Sequence, residues 1–237
     1  MESLKLNHNF HVFIFNWSRH HNNALKHEEE LKRHGIKVTV INSSSVYHEK
    51  HWYKLDDGYF AEQWNTLLKL RNRESDFIIH IQADAHFEQN IQFIKKLDTL
   101  ASKNKNIGIY APNVDFTYHR YHFKNSVQPF HNVYSVPNTD CTYWAINNKL
   151  LGFADQLFDI NQNFFGFGCD WYYSAVARDQ SMMVLRDYNF TVDHEHSTGY
   201  DINKALEQLD EWIKIQPVKI KNIIHYLMDI HKIMEIK

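Results

Sequence analysis

The first forty residues restrict the fold more than any other stretch. Phe10-His11-Val12-Phe13-Ile14-Phe15 is an almost unbroken β-prone apolar run, as expected of a buried strand. A polar turn follows at 16–21. Residues 22–34 carry helical charge order, with Asn22 or Asn23 to cap, Glu28, Glu29 and Glu30 early, and Lys32, Arg33 and His34 late. That order complements the helix dipole, and Gly35 is a helix stop. Ile36-Lys37-Val38-Thr39-Val40-Ile41 reads as a second strand ending in Asn42-Ser43-Ser44-Ser45. A strand–helix–strand unit of this kind implies parallel pairing through a right-handed crossover.

The alternation continues. Phe60, Trp64, Leu67, Leu68 and Arg71 predict an amphipathic helix over 59–71, and a strand at 77–82 follows. A helix at 90–102 and a strand at 107–111 complete a layered α/β half. The second half is predicted to hold a strand at 142–146, a helix at 170–178, and two short strands near 183–185 and 190–192. Helices follow over 203–236, the last starting at Pro217 as its first residue. The fold class is therefore α/β, a mixed and mainly parallel sheet flanked by helices, with C-terminal helices. No repeat or linker divides the chain, so one domain spans 1–237. Its parts are a first half to about 111, a second half over about 112–200, and the helical tail. Ile220, Ile223, Ile224, Leu227, Met228 and Ile230 give the last helix an apolar face. Packing on the domain is the favoured use of it; a homodimer or a membrane surface are the alternatives.

Composition excludes several classes. With 43% hydrophobic residues in 237, the chain can bury a substantial core, and 7 Gly and 4 Pro argue against disorder. A net charge of -2 gives no global field for nucleic acid or an anionic membrane. Two cysteines, Cys141 and Cys169, fit a reducing compartment. The segment MESLKLNHNF lacks a secretory apolar core, and no apolar run approaches the roughly 20 residues of a membrane span. A cytoplasmic location is expected.

Three segments carry chemistry. In Ile81-Gln82-Ala83-Asp84-Ala85-His86-Phe87-Glu88, Asp84 and His86 are two apart, so an extended backbone would point both one way. A carboxylate and an imidazole at a strand end can hold Mn²⁺ or Mg²⁺. The plainer reading is a solvated pair, with Asp84 capping the next helix. In Asp193-His194-Glu195-His196, the two histidines alternate on a strand and Glu195 points away into solvent. In Gly166-Phe167-Gly168-Cys169-Asp170-Trp171, the glycines permit close approach to a ligand. Asp170 is there either a general base or a helix cap, and Trp171 either a sugar platform or core. No nucleophile elbow, phosphate-binding loop, dinucleotide fingerprint or paired-histidine zinc helix is present.

The order of these pieces resembles the GT-A glycosyltransferases, particularly the family 2-like ones. Phe15-Asn16-Trp17-Ser18-Arg19 looks like their first strand end, Asn42-Ser43-Ser44 like the base-contacting end of the second, and Asn65 like the asparagine of the helix before the metal strand. Gln82-Ala83-Asp84 keeps the second acid of the Asp-x-Asp motif, and Asp84-Ala85-His86 is similar to the Asp-x-His variant of polypeptide GalNAc-transferases. The resemblance implies a nucleotide-diphosphate sugar donor, with UDP favoured, held by Asn16, Arg19, Asn42, Ser43, Asn65, Gln82 and Ala83. It implies Mn²⁺ or Mg²⁺ on Asp84 and His86 with His194 or His196. On the acceptor side it implies Asp170 as the base of an inverting transfer, with Phe167, Gly168 and Trp171 binding a glycan or other hydroxyl acceptor. The Asp-x-His likeness leaves a retaining mechanism open, in which Asp170 only orients the acceptor. Nucleotidyl transfer and non-catalytic nucleotide-sugar binding are the competing functions. A nucleic-acid acceptor is not favoured by the charge. Tyr118, His119, Arg120, Tyr121 and His122 are expected to help choose the acceptor.

Overall fold

The structure is a computed structural model describing residues 4–56, 58–117, 127–195 and 200–234. The opening unit forms as expected: β1 (Phe10–Asn16), α1 (His21–Arg33) and β2 (Lys37–Asn42). β1 and β2 are parallel, from His11 opposite Lys37 to Asn16 opposite Asn42. Next come β3 (Tyr53–Lys54), α2 (Phe60–Leu70), β4 (Phe77–Gln82), β5 (Ala85–His86), α3 (Asn90–Lys103) and β6 (Ile107–Val114). The second half adds β7 (Val133–Ser135), β8 (Tyr143–Asn147), α4 (Asn148–Leu151), α5 (Cys169–Asp179), β9 (Met183–His194), α6 (Ile202–Lys214) and α7 (Val218–Met234). Among the described residues the nine strands form one sheet, ordered β3-β2-β1-β4-β8-β6-β9-β5, with β7 paired to β9. β3, β2, β1 and β4 run parallel, as do β6 and β9, whereas β8 is antiparallel to both β4 and β6.

The period of two along the strands splits the core into two layers. Phe13, Phe15 and Ile78 pack under α2, α5, α6 and α7 with Trp64, Tyr173 and Trp212. Val12, Ile14, Ile79 and Ile81 pack under α1 and α3 with Leu31, Phe93 and Leu97. Each fully buried large side chain contributes about 1.5–3 kcal/mol relative to exposure. Trp64, Trp144 and Tyr173 are all fully buried in the first layer. The apolar face of α7 is used within the chain: Ile224 and Leu227 are buried, and Lys219 pairs with Asp179 of α5 at 2.5 Å. No helix of the described residues is long and apolar enough to cross a membrane.

Several local expectations change. Asn22 and Asn23 do not cap α1, whose N-cap position is His20 with no side-chain cap bond. The two short strands near 183–185 and 190–192 are one strand, β9. Its pairing with β6 slips between Pro112 and Asn113, opposite Asp187 and Thr191, so the break is a bulge and not a turn. Asp187 anchors that bulge, accepting from Tyr110 Oη and from the Asn189 backbone N–H. α5 begins at Cys169, with Gly168 as N-cap, so Asp170 lies inside the helix and is not its cap. Pro217 immediately precedes α7, and its carbonyl accepts from the Lys221 N–H at 2.9 Å.

Candidate metal and nucleotide-sugar site

The carboxyl ends of β1, β2 and β4 meet at one edge of the sheet, where ligands of open α/β sheets bind. The chain turns at Ala83 and Asp84 between β4 and β5. Ala83 N–H donates to the Phe15 carbonyl at 2.9 Å, and Gln82 N–H to the Thr142 carbonyl at 2.8 Å. A buried polar chain holds the turn from below. Asn23 Nδ2 donates to the carbonyls of Ala83 and Ala85 at 2.7 and 2.9 Å. His27 Nε2 meets the Ala85 carbonyl at 2.8 Å and its Nδ1 meets Asn90 Nδ2 at 3.0 Å. The Tyr143 hydroxyl donates to Asn90 Oδ1 at 2.9 Å. Burial pulls the His27 pKa down, which suits a neutral ring with one donating and one accepting nitrogen. Sequence reasoning missed this support. Its only signal was Asn23 and His27 four apart on one face of α1.

β5 pairs with the end of β9, Ala85 opposite His194 and His86 opposite Asp193. That pairing brings Asp84 Oδ2 to 3.4 Å from His194 Nε2, both side chains largely buried. The other Asp84 oxygen, Oδ1, is buried without a hydrogen-bond partner. Burial disfavours the charged form of His194, but hydrogen bonding to Asp84, the charges of Asp84 and Asp140, and the Phe116 backbone outweigh it and raise the pKa. Asp115 Oδ1 fixes the strand end by accepting the His194 N–H at 2.9 Å.

His86 does not join this pair as the spacing suggested. Asp84 sits in a turn, so the alternation of an extended strand does not apply between them. The His86 ring instead faces Glu195, Nε2 to Oε1 3.7 Å, and Glu195 Oε2 lies 3.7 Å from Arg19 Nη2. Glu195, expected in solvent and pointing away from His194 and His196, is instead paired with His86 and Arg19. All three side chains are about half exposed, so these contacts are weak. Among the described residues no three of His, Cys, Asp and Glu converge closely enough to hold an ion as they stand. His196 and the 118–122 segment lie outside the described residues. His20, missed in the sequence, is buried beside this group, and its Nε2 accepts from Arg19 Nε at 2.8 Å. Burial lowers its pKa, with Asp84 and Glu195 opposing and Arg19 and His86 assisting.

The 163–168 loop, expected on the acceptor side, is pinned by Asn163, whose Oδ1 accepts from Gly166 N–H at 2.9 Å and whose Nδ2 donates to the Phe167 carbonyl at 2.8 Å. Gly166 and Gly168 have φ of +74° and +99°. A Cβ on Gly166 would come within 2.4 Å of Phe60, and one on Gly168 within 2.6 Å of Trp212. Asp170 is half-buried in the first turn of α5 and accepts from Asn138 Nδ2 at 2.9 Å; Asn138 Oδ1 in turn accepts from Ser174 Oγ at 2.7 Å. Trp171 is core, 7% exposed with its ring 5.7 Å from that of His231, so it offers no face to a sugar. Phe167 is half-buried and packs edge-on to Tyr200.

The remaining residues expected to contact the donor divide. Asn16 and Asn42 are buried and bonded to each other at 2.6 Å, and Asn42 Nδ2 also holds the Tyr47 carbonyl at 2.8 Å. Ser43 Oγ has no hydrogen-bond partner. Asn65 faces inward: its Oδ1 accepts from the Leu157 and Phe158 N–H groups and its Nδ2 donates to the Phe158 carbonyl. Both ends of its amide hold that loop, so the structure gives it a scaffold role where a donor contact was expected. Asp140, also missed, accepts from Thr142 N–H and Oγ1 and adds negative charge near His194 and His80.

No family model and no curated protein matches the chain. Solved structures do. A structure of GalNAc-T7 with UDP, GalNAc and Mn²⁺ superposes with a TM-score of 0.66 over 96% of this chain, at 11% identity. The chain has the GT-A fold. It covers 55% of the GalNAc-T7 chain, about half its length. The catalytic domain of Drosophila β1,4-galactosyltransferase 7 in complex with xylobiose matches with a TM-score of 0.50, at 14% identity, over 86% of this chain and 79% of that one. The mixed, mainly parallel sheet is thus arranged as in a GT-A fold, as the order of motifs had implied.

Proposed function

We propose that the chain is a metal-dependent glycosyltransferase that moves a sugar from a nucleotide-diphosphate sugar, a UDP-sugar favoured, to the hydroxyl of a glycan or similar acceptor. The observation that carries this reading is the Asp84–His194 pair at the carboxyl edge of a GT-A sheet. A buried carboxylate oxygen with no hydrogen-bond partner beside an imidazole suits a cation such as Mn²⁺, which accepts both oxygen and nitrogen ligands. The UDP and Mn²⁺ of the GalNAc-T7 structure and the xylobiose of the galactosyltransferase support the same donor, metal and acceptor classes.

Asp84 and His194 would hold the ion, with His86 or His196 as a further ligand. When bound, a divalent ion neutralises charge developing on the diphosphate leaving group. Arg19 and His86 now share the Glu195 carboxylate, and the donor phosphates would replace it as their anionic partner. Asp170, oriented by Asn138, would accept the proton of the acceptor hydroxyl. The acceptor oxygen bonds to the anomeric carbon as the bond to the diphosphate breaks, and its electron pair leaves on the phosphate oxygen.

A thermal-shift screen of nucleotide sugars with and without Mn²⁺ tests the donor. A ligand present at about 100 times its Kd adds roughly 2.7 kcal/mol of stability, and no response to any nucleotide would refute the reading. Anomer-resolved NMR of the product tests the base. An inverted product is expected, and retention would leave Asp170 only an orienting role.

A further inference from the structure

The opposite edge of the sheet carries a second polar site. An open cavity of about 700 Å³ lies at the start of β4, far along that strand from Asp84, between the ends of α2 and α3 and the β8–α4 junction. Arg71 lines it, and its side chain has an unusual environment. It is 6% exposed, its Nη1 donates to the Leu68 carbonyl at the end of α2, and its Nε–H is buried with no acceptor. Among the described residues it forms no ion pair; the Asp155 carboxylate lies 3.5 Å from Arg73 instead. Burial pulls the Arg71 pKa below its ordinary value, and Arg73 adds to this, with Tyr173 and Asp155 opposing.

A buried guanidinium without a counter-ion costs several kcal/mol unless something outside the chain supplies the charge. The cavity leaves room for that. Its walls carry Arg71, Arg73, Lys105 and Lys149 against Glu74 and Asp76, a local excess of positive charge in a chain of net charge -2. One further wall residue narrows the chemistry. Asn148 donates its Nδ2 to the Asn72 and Ser75 carbonyls, which fixes the amide orientation, and its Oδ1 is buried without a donor. The site therefore offers a buried cationic donor and a buried neutral acceptor on one cavity.

We propose that this cavity is a binding site for a phosphate group, free or as a phosphomonoester, with Arg71 as its buried anchor. Near neutral pH free phosphate is an anion that keeps at least one proton, and a phosphomonoester keeps one in part of its population. It can accept from Arg71 and donate to Asn148 Oδ1, whereas sulfate can only accept. Arg73 and Lys149 on the rim supply long-range attraction. The site is separate from the proposed donor site and does not depend on it.

Inorganic phosphate and sulfate, titrated at constant ionic strength with EDTA present, test this by calorimetry and thermal shift. Saturable phosphate binding with Kd below about 1 mM is expected, with sulfate weaker. Arg71→Gln should weaken phosphate about tenfold or more, the loss of one charged hydrogen bond. Lys149→Glu, an exposed change that leaves the core intact, should weaken it by a smaller factor, and Asp84→Ala should leave it unchanged. Absence of saturable phosphate binding, or binding indifferent to both Arg71→Gln and Lys149→Glu, would overturn the site. Sulfate binding as tightly as phosphate would overturn the assignment to phosphate.

Discussion

Acid should destabilise this protein in large part through one residue on β4. His80 is fully buried between Phe15, Phe60 and Trp64, and its Nδ1 meets the Cys141 carbonyl at 2.9 Å. Burial pushes its pKa down from 6.5 to about 3, although the Cys141 carbonyl and Asp140 oppose the shift. The folded state therefore refuses a proton that the unfolded chain accepts below pH 6.5. Stability rises with pH wherever the unfolded state binds more protons, so this contribution is full above pH 6.5 and is lost as pH falls towards the folded value. Between pH 7 and pH 5 the unfolded ring goes from mostly neutral to mostly charged while the folded ring stays neutral. At about 1.4 kcal/mol per pH unit, the loss over that interval is roughly 2 kcal/mol. His80→Asn places an amide where Nδ1 now sits and removes the titration. Urea denaturation of both proteins at pH 7 and pH 5 isolates the effect, because the fixed cost of the smaller side chain cancels in the comparison. The wild type should lose about 2 kcal/mol more than His80→Asn over that interval. Equal losses would refute a neutral, buried His80. His11, lowered to about 4 by burial and by Lys37, adds a loss of the same sign that both proteins share.

Four further outcomes follow from the packing and the site. Gly168→Ala forces a side chain into a left-handed conformation and against Trp212, and should cost roughly 2–4 kcal/mol by chemical denaturation. Gly152→Ala, at an ordinary helix end whose nearest atom is a carbonyl 3.3 Å away, should change stability by under about 1 kcal/mol. Asn65→Ala strands two N–H groups and a carbonyl of the 157–158 loop and should cost about 2–4 kcal/mol while leaving any nucleotide affinity of the folded protein unchanged. Asp170→Asn should lower kcat by about 10²–10⁴-fold with little change in KM for the donor, measured on a competent donor–acceptor pair; an unchanged kcat would remove Asp170 from the chemistry.

The sequence carried the long elements well because their periodicity is long. α1, α2, α3 and the strands β1, β2, β4 and β6 lie where apolar spacing put them, to within a few residues. The short strands were not legible: β3 and β5 have two residues each and β7 three, too few to show a period. Losing β5 had consequences for the site. Without it, Asp84 and His86 looked like neighbours on one strand, when the turn at 83–84 separates them and the β5–β9 pairing brings in His194 instead. Trp171 and Asn65 illustrate the opposite error. An aromatic beside an acid and an asparagine on a helix are both compatible with ligand contact, and only the packing of α7 and the 157–158 loop reveals them as structural.

The central claim is that Asp84 and His194 form a metal site for a nucleotide diphosphate. Isothermal calorimetry of UDP binding, with Mn²⁺ and then with EDTA, for the wild type and Asp84→Ala, tests it most directly. UDP should bind the wild type with Mn²⁺ present, at least about tenfold more weakly in EDTA, and equally weakly to Asp84→Ala under both conditions. UDP affinity that is the same with Mn²⁺ and EDTA, or a Mn²⁺ effect that survives in Asp84→Ala, would contradict it.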